Sequence, residues 1–185
     1  MSRTFINVLN MIGSMMSAVK CSNCPSGYLL PLHPTLLGRS LHIGLEKILS
    51  IVSLGSPQCC QDCQKKVGAK MIEARINSAV KLIKEKRDGD NESLLCLAAQ
   101  LEQDSLHANH YLIVGIKEIV IQRLMSSLRN HKSGKLILEE EELLEAYQLR
   151  SKLFEEVARV LVLVDSEGTD WMKKLKDIQN DIPAL

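Results

Sequence analysis

The sequence predicts a mainly α-helical protein, in which a cysteine-rich, zinc-ribbon-like N-terminal segment precedes an antiparallel array of helical hairpins of the TPR-like kind. Two observations support this fold class. Four of the five prolines and five of the six cysteines precede Gln64. After Gln64, apolar residues recur every three or four positions, the spacing of one face of an α-helix. The predicted division is a cysteine-rich segment, residues 1–63, and a helical domain, residues 64–185.

The composition is that of a globular protein and excludes several functions. Apolar residues make up 45% of the sequence, charged residues 24%, and the net charge is +1. This balance gives no bulk field that attracts nucleic acid or anionic membranes, and 3% aromatic residues are too few for a base-stacking platform. No apolar run reaches the roughly 20 residues of a membrane span. We expect protein partners or peptide substrates, with no direct nucleic-acid partner and no membrane partner.

The helical domain begins with an amphipathic helix of roughly 20 residues. Its apolar stripe recurs at three- and four-residue spacing: Ile72, Ile76, Ala79 and Ile83. The turn cluster at residues 87–90 ends this helix. Asp90 or Asn91 can cap a second helix. On that second helix, Cys96 is expected to pack in the core as a small hydrophobe.

Two longer helices and a short one follow. A third helix is predicted for residues 111 to about 128, and its run from Leu112 to Leu124 is apolar nearly all round, which is typical of a helix buried between neighbours. Residues 130–135 are predicted to form a loop. A fourth helix is predicted for about residues 139–164, since its acidic start suits the positive end of the helix dipole. A short final helix is predicted for about residues 170–179.

Two Cys-x-x-Cys pairs form the strongest candidate site: Cys21 with Cys24, and Cys60 with Cys63. Two thiolates at this spacing can face one tetrahedral shell, and two such pairs complete a closed, structural zinc site. The gap between the pairs is longer than the usual zinc-ribbon spacing of about 15–20 residues. However, the entropic cost of closing a loop rises only slowly with its length. We therefore predict one structural zinc ion bound by these four cysteines.

Other interpretations of the cysteines stay open at this point. Cys59 can replace Cys60 as a ligand, although only Cys60 has the Cys-x-x-Cys register with Cys63. His33 is an alternative ligand near the first pair. Disulfides would fit a secreted chain, and free thiols would fit a disordered arm. Paired Cys-x-x-Cys units in a helix-rich chain favour a reducing compartment, so we expect a cytoplasmic or nuclear location.

No catalytic constellation stands out in the sequence. It has no Gly-rich phosphate loop, no Gly-x-Ser-x-Gly turn and no evident nucleophile–base pair. His107 and His110 have a spacing that can support a metal, but no cysteine or acidic partner accompanies them. We expect these histidines to cap or pack locally, and we predict no catalytic and no cofactor-binding residue.

Five blocks of the sequence occur in the same order as in a known family. A Ser-Ala-x-x-Cys-x-x-Cys unit occupies residues 17–24, a Leu-Leu-Pro arm residues 29–31, and a second Cys-x-x-Cys residues 60–63. Residues 106–112 are similar to a Leu-His-Pro-x-His-Tyr helix start, with alanine in place of the proline. Residues 149–171 are similar to the later helices of the same family. In this order the blocks resemble the region after the SET domain in SET-and-MYND protein-lysine methyltransferases, arthropod branch.

The resemblance implies the C-terminal part of such a protein. Family members transfer a methyl group from S-adenosylmethionine to lysines of histones or other proteins, which implies a link to chromatin and transcription regulation. This sequence contains neither the Asn-His-Ser-Cys motif of the SET core nor a MYND zinc finger. We therefore expect a C-terminal piece, short isoform or truncated gene model that serves as a zinc-stabilised helical interaction module and does not methylate alone. The alternative is that it forms part of the substrate cleft of an active enzyme.

Overall fold

The computed structural model describes residues 16–31 and 57–164, with side chains described as far as residue 160. The strands are β1 (Val19–Lys20), β2 (Tyr28–Pro31), β3 (Gln58–Cys60) and β4 (Lys66–Val67). The helices are α1 (Ala69–Lys86), α2 (Asn91–Asp104), α3 (Tyr111–Lys132) and α4 (Glu140–Val164). The described chain is thus mainly helical with a small sheet, which confirms the mainly α-helical class, while the TPR-like arrangement of the helices stays a prediction. The short helix predicted for residues 170–179 lies outside the described residues.

The chain divides into two compact units, residues 1–116 and residues 117–185. The described part of the first unit holds the sheet, α1, α2 and the start of α3, and that of the second holds the rest of α3 and α4. The division predicted between residues 63 and 64 stays a prediction. Strand β4 follows that point, so the sheet uses residues from both sides of it.

The four strands form one antiparallel sheet in the order β1-β2-β3-β4. Leu29 of the inner strand β2 pairs with Val19 on one side and Cys60 on the other. All three side chains are buried. Strand β2 therefore lies between β1, which leads into the first cysteine pair, and β3, which ends at Cys60, the first residue of the second pair.

Strand β1 is also hydrogen-bonded to the helical part of the first unit. Val19 forms an isolated bridge with Leu106, in the connection between α2 and α3. The Lys20 N–H donates to the Ser105 carbonyl at 2.8 Å. The Arg75 guanidinium of α1 donates to the Lys20 carbonyl at 2.8 Å. The strand that leads into the first cysteine pair is thus held by both α1 and the α2–α3 connection.

Helix α1 follows the predicted amphipathic pattern. Its buried residues are Ile72, Ile76, Ala79, Val80 and Ile83. The helix ends at the predicted turn, where the Gly89 N–H donates to the Lys86 carbonyl at 3.0 Å. The Asp90 carboxylate then accepts the Ser93 N–H at 2.7 Å, which confirms it as the N-cap of α2. Helices α1 and α2 pack against each other.

Helix α2 buries only one face. Its buried residues are Leu94, Leu97, Ala98 and Leu101. Cys96 is exposed, so the prediction that it packs in the core is wrong. The physical reason is the helical period: Cys96 lies two residues, or about 200°, from the buried Leu94.

Helix α3 is buried over its first turns, as its apolar sequence predicts. Its buried residues run from Tyr111 to Ile116 without interruption. The helix extends to Lys132, so the predicted start of the following loop at residue 130 is wrong. Gly134 ends it in the left-handed region with φ +72°, and its N–H donates to the His131 carbonyl at 2.9 Å. Glycine suits this position because it lacks the Cβ that disfavours positive φ.

In the second unit, α4 returns antiparallel to α3. The Lys117 ammonium lies 2.7 Å from the Glu156 carboxylate, while Lys132, at the other end of α3, lies 6.0 Å from the Tyr147 ring centroid. These two contacts join the start of one helix to the end of the other, which makes a helical hairpin. Within the residues the structure describes, we find no helix with both the length and the apolar character to cross a membrane.

Candidate metal centre

The structure brings together all four predicted ligands, Cys21, Cys24, Cys60 and Cys63, with their sulfur atoms within 4.8 Å of one another. The sulfurs of Cys21 and Cys63 are 3.7 Å apart, and those of Cys24 and Cys60 are 3.8 Å apart. In a tetrahedral site with zinc–sulfur bonds of about 2.3 Å, the sulfurs are separated by about 3.8 Å. The four cysteines are therefore positioned to hold a metal ion and are compatible with structural zinc.

Two loops present the four sulfurs. In the first cysteine loop, residues 21–27, the Cys21 N–H donates to the Gly27 carbonyl at 2.8 Å. In the second cysteine loop, residues 60–65, the Cys60 N–H donates to the Lys65 carbonyl at 2.9 Å. Each loop thus closes on itself directly after its strand, β1 or β3. Because β2 pairs with both strands, the two loops lie side by side.

A tight reversal within the second loop directs Cys63 towards Cys60. Gln64 has a φ of 60°, in the left-handed region that non-glycine residues rarely adopt. Its N–H donates to the Cys60 carbonyl at 3.1 Å, and its side-chain amide donates to the Gln61 carbonyl at 3.0 Å. These bonds support the conformation. Sequence analysis did not single out Gln64, since nothing in its residue type signals a positive φ.

Hydrogen bonds shift the pKa values of two of the sulfurs in opposite directions. The N–H of Cys63, and also that of Asp62, lower the pKa of the Cys60 thiol to about 7, although desolvation opposes them. A hydrogen bond shared with Cys63, followed by desolvation, raises the pKa of Cys24 to about 12. Adjacent thiolates repel one another, so the four sulfurs do not all ionise without a cation between them. A divalent metal ion removes this repulsion, because its positive charge offsets the negative charge of the thiolates that bind it.

Cys59 lies outside the sulfur cluster. Successive side chains of a strand point to opposite faces of a sheet, so Cys59 and Cys60 of β3 diverge. The Cys59 thiol donates to the Gln64 backbone carbonyl at 3.5 Å, away from the other sulfurs. Cys60, and not Cys59, therefore supplies the third sulfur. The other alternative ligand, His33, lies outside the described residues.

Gly27 is a site residue that the sequence analysis did not single out as such. A Cβ atom on Gly27 would lie 2.8 Å from the Cys24 Cβ, 2.9 Å from the Cys60 sulfur and 3.0 Å from the Asp62 carboxylate. Real Cβ atoms do not approach other atoms this closely, so any larger residue must displace a ligand. The only sequence signal is that a glycine follows three residues after the first cysteine pair.

We expect the substitution Gly27→Ala to weaken metal binding and to lower the free energy of unfolding by about 1–3 kcal/mol, the usual cost of overpacking. The measurements are zinc affinity by competition with a chromogenic chelator and urea unfolding. Gly68→Ala is the matched control, because a Cβ there meets nothing within 4 Å. Equal zinc affinity in the two variants would show that Gly27 does not shape the site.

His107 and His110 act as local caps, which confirms their predicted role. The Nδ1 of His107 accepts the Asn109 N–H at 3.0 Å, and that of His110 accepts the Leu112 N–H at 3.2 Å. His110 is fully buried, and its ring stacks on Tyr111 with centroids 4.4 Å apart. Burial, and secondarily the charge of His107, lowers the pKa of His110 to about 3. His110 is therefore neutral at physiological pH and structural.

Comparison with known proteins found no match among protein-family models, curated proteins or solved structures. The resemblance of the sequence blocks to SET-and-MYND methyltransferases accordingly stays a prediction. The candidate metal centre rests on its own geometry, namely four thiols with sulfurs within 4.8 Å of one another on two hydrogen-bonded loops.

Proposed function

We propose that this chain is a zinc-stabilised helical protein-interaction module of the SET-and-MYND type, with no methyl-transfer activity of its own. The four-sulfur cluster is the observation that supports the proposal most strongly. Four thiolates fill the tetrahedral shell of zinc, so no position stays open for a reacting water or substrate. Such an ion contributes to folding and not to chemistry.

The position of the cluster favours this structural role. The ion would join the first cysteine loop, after β1, to the second, after β3. Strand β1 is in turn bonded to Arg75 of α1 and to Ser105 after α2. Metal binding would thereby stabilise the attachment of the sheet to the helices. We propose that the helices form a TPR-like array, which offers extended surfaces to partner proteins.

We also propose a reducing compartment, the cytoplasm or the nucleus, as the place of action. All six cysteines of the chain lie in described segments, and all are free thiols. Reducing conditions keep thiols available for metal binding, whereas disulfides persist in oxidising compartments.

A methyl-transfer assay tests the absence of catalysis. The purified, zinc-loaded chain is incubated with labelled S-adenosylmethionine and histones, and we expect no transfer above a protein-free blank. Robust transfer would contradict the proposal and support the alternative, in which the chain contributes to an active methyltransferase.

Proximity labelling in cells tests the interaction function. We expect the natural chain and a Cys59→Ser variant to label the same proteins, because Cys59 is not part of the sulfur cluster. A Cys60→Ser variant, expressed at the same level, should lose these partners along with the metal. Identical partner sets for all three chains would show that binding does not depend on the metal-stabilised fold.

A further inference from the structure

Four large apolar side chains are exposed within the residues that the structure describes, and they form two pairs. Met71 and Leu82, 60% and 37% exposed, lie on α1. Leu136 and Ile137, 38% and 85% exposed, lie between α3 and α4. Single exposed apolar residues are ordinary on protein surfaces. Here, however, each pair lies within a strongly charged stretch of the chain, and the two stretches have opposite signs.

The pair on α1 belongs to a positively charged surface. Met71 and Leu82 are three helical turns apart and lie within about 20° of each other around the axis. Residues 62–87 contain eight basic and three acidic residues, a net charge of +5. We define the basic surface as the two apolar residues and the exposed lysines of α1 within about 100° of Met71 around the helix axis: Met71, Leu82, Lys70, Lys81 and Lys86. Among these lysines, Lys81 forms an ion pair with Glu85, but the two charged groups are 3.9 Å apart and solvent-exposed.

The second pair belongs to a negatively charged stretch, the acidic segment, residues 136–145. It contains five glutamates and no basic residue, a net charge of −5. Glu142 accepts the Glu139 N–H at 3.1 Å and so helps to begin α4. Glu140 and Glu141 are exposed and have no such contact with the helix start. Because neighbouring glutamates repel one another, the helix dipole alone does not account for so much negative charge in this segment.

We propose that the basic surface of one copy of this chain binds the acidic segment of a second copy. The two surfaces are opposite in charge, +3 from the three lysines of the basic surface and −5 from the acidic segment, and each contributes two exposed apolar side chains that contact would remove from water. The inference rests on the proposed interaction function and names its partner. Because the two surfaces differ, the pairing is head-to-tail, and it either closes into a ring or extends as a chain.

Sedimentation velocity of the zinc-loaded chain at two salt concentrations tests this pairing. We expect species of at least twice the monomer mass at about 0.05 M salt, and dissociation at least about tenfold stronger at about 0.5 M, where charges are screened. A monomer at both salt concentrations, across the accessible range of protein concentration, would overturn the proposal.

Reciprocal charge reversal identifies the surfaces. The Lys70→Glu, Lys81→Glu double variant has two negative surfaces, of net charge −1 and −5, and the Glu140→Lys, Glu141→Lys, Glu145→Lys triple variant has two positive ones, of net charge +3 and +1. We expect each to be monomeric alone at low salt and an equimolar mixture to associate again, since every contact in the mixture has opposite charges. Association of either variant alone, or no association of the mixture, would contradict the proposal.

Metal content and far-UV circular dichroism of each variant separate this proposal from the proposed function. A chain that binds zinc and stays folded but does not self-associate contradicts only the pairing of copies. A chain that folds without metal contradicts the proposed function itself.

Discussion

Replacing Cys60 with serine will abolish stable metal binding and destabilise the first unit, whereas replacing Cys59 with serine will change neither. Cys60 lies in the sulfur cluster, with its sulfur 3.8 Å from that of Cys24. Zinc contributes roughly 10–16 kcal/mol to the folding of zinc-finger peptides at pH 7, so a variant that no longer holds the ion should lose a contribution of this order. Cys59 points to the other face of β3 and provides a matched control at the adjacent position.

Metal content after gel filtration and the midpoint of urea unfolding measure this difference. The natural chain and Cys59→Ser should retain about one equivalent of zinc, as one Cys₄ shell holds one ion, and Cys60→Ser should retain none. Should Cys59→Ser release the ion and Cys60→Ser keep it, the assignment of the third ligand would be wrong.

Acidification will destabilise the natural chain more than a His110→Asn variant. Burial holds the pKa of His110 at about 3, below its ordinary value of 6.5. In the unfolded chain His110 therefore binds a proton below pH 6.5, whereas in the folded chain it stays neutral until about pH 3. The stability contributed by neutral His110 is complete above pH 6.5 and falls with pH by about 1.4 kcal/mol per unit, or about 2 kcal/mol at pH 5.

Asparagine at position 110 keeps a hydrogen-bond acceptor for the Leu112 N–H but does not titrate. We expect the loss of unfolding free energy between pH 7 and pH 5 to shrink by about 2 kcal/mol in this variant. His107→Asn is the control, with a smaller effect, because His107 is only half-buried. Zinc loss in acid affects all three chains alike. Equal pH dependence in all three would contradict the role of buried His110.

The helices were predictable because their periodic pattern is local in the sequence. Ile72, Ile76 and Ile83 recur with the period of one helix face, and all three are buried. The wrong prediction for Cys96 also depends on this period. In a continuous apolar run the period is hidden, and only packing decides which residues face the core.

The sheet was not predictable from local pattern. Its strands have two to four residues, too few for an alternation of apolar and polar residues to be recognised. The pairing of β2 with β3 also joins residues far apart in sequence, such as Leu29 and Cys60. A single sequence contains no signal for that register.

The four cysteines of the sulfur cluster were predictable, and the residues that support the cluster were not. The Cys-x-x-Cys register alone favoured Cys60 over Cys59, and the alternation of β3 gives the physical reason. Gly27 and Gln64 matter through a steric limit and a backbone angle, which appear only when the two cysteine loops are folded.

Metal content and far-UV circular dichroism, measured on the purified chain before and after chelation, test the central claim most directly. We predict about one equivalent of zinc per chain and six free thiols after denaturation. Chelation should release the ion and lower the ordered structure of the first unit. A chain that holds no metal, contains disulfides between Cys21, Cys24, Cys60 and Cys63, or keeps its full structure after chelation would contradict a zinc-stabilised fold.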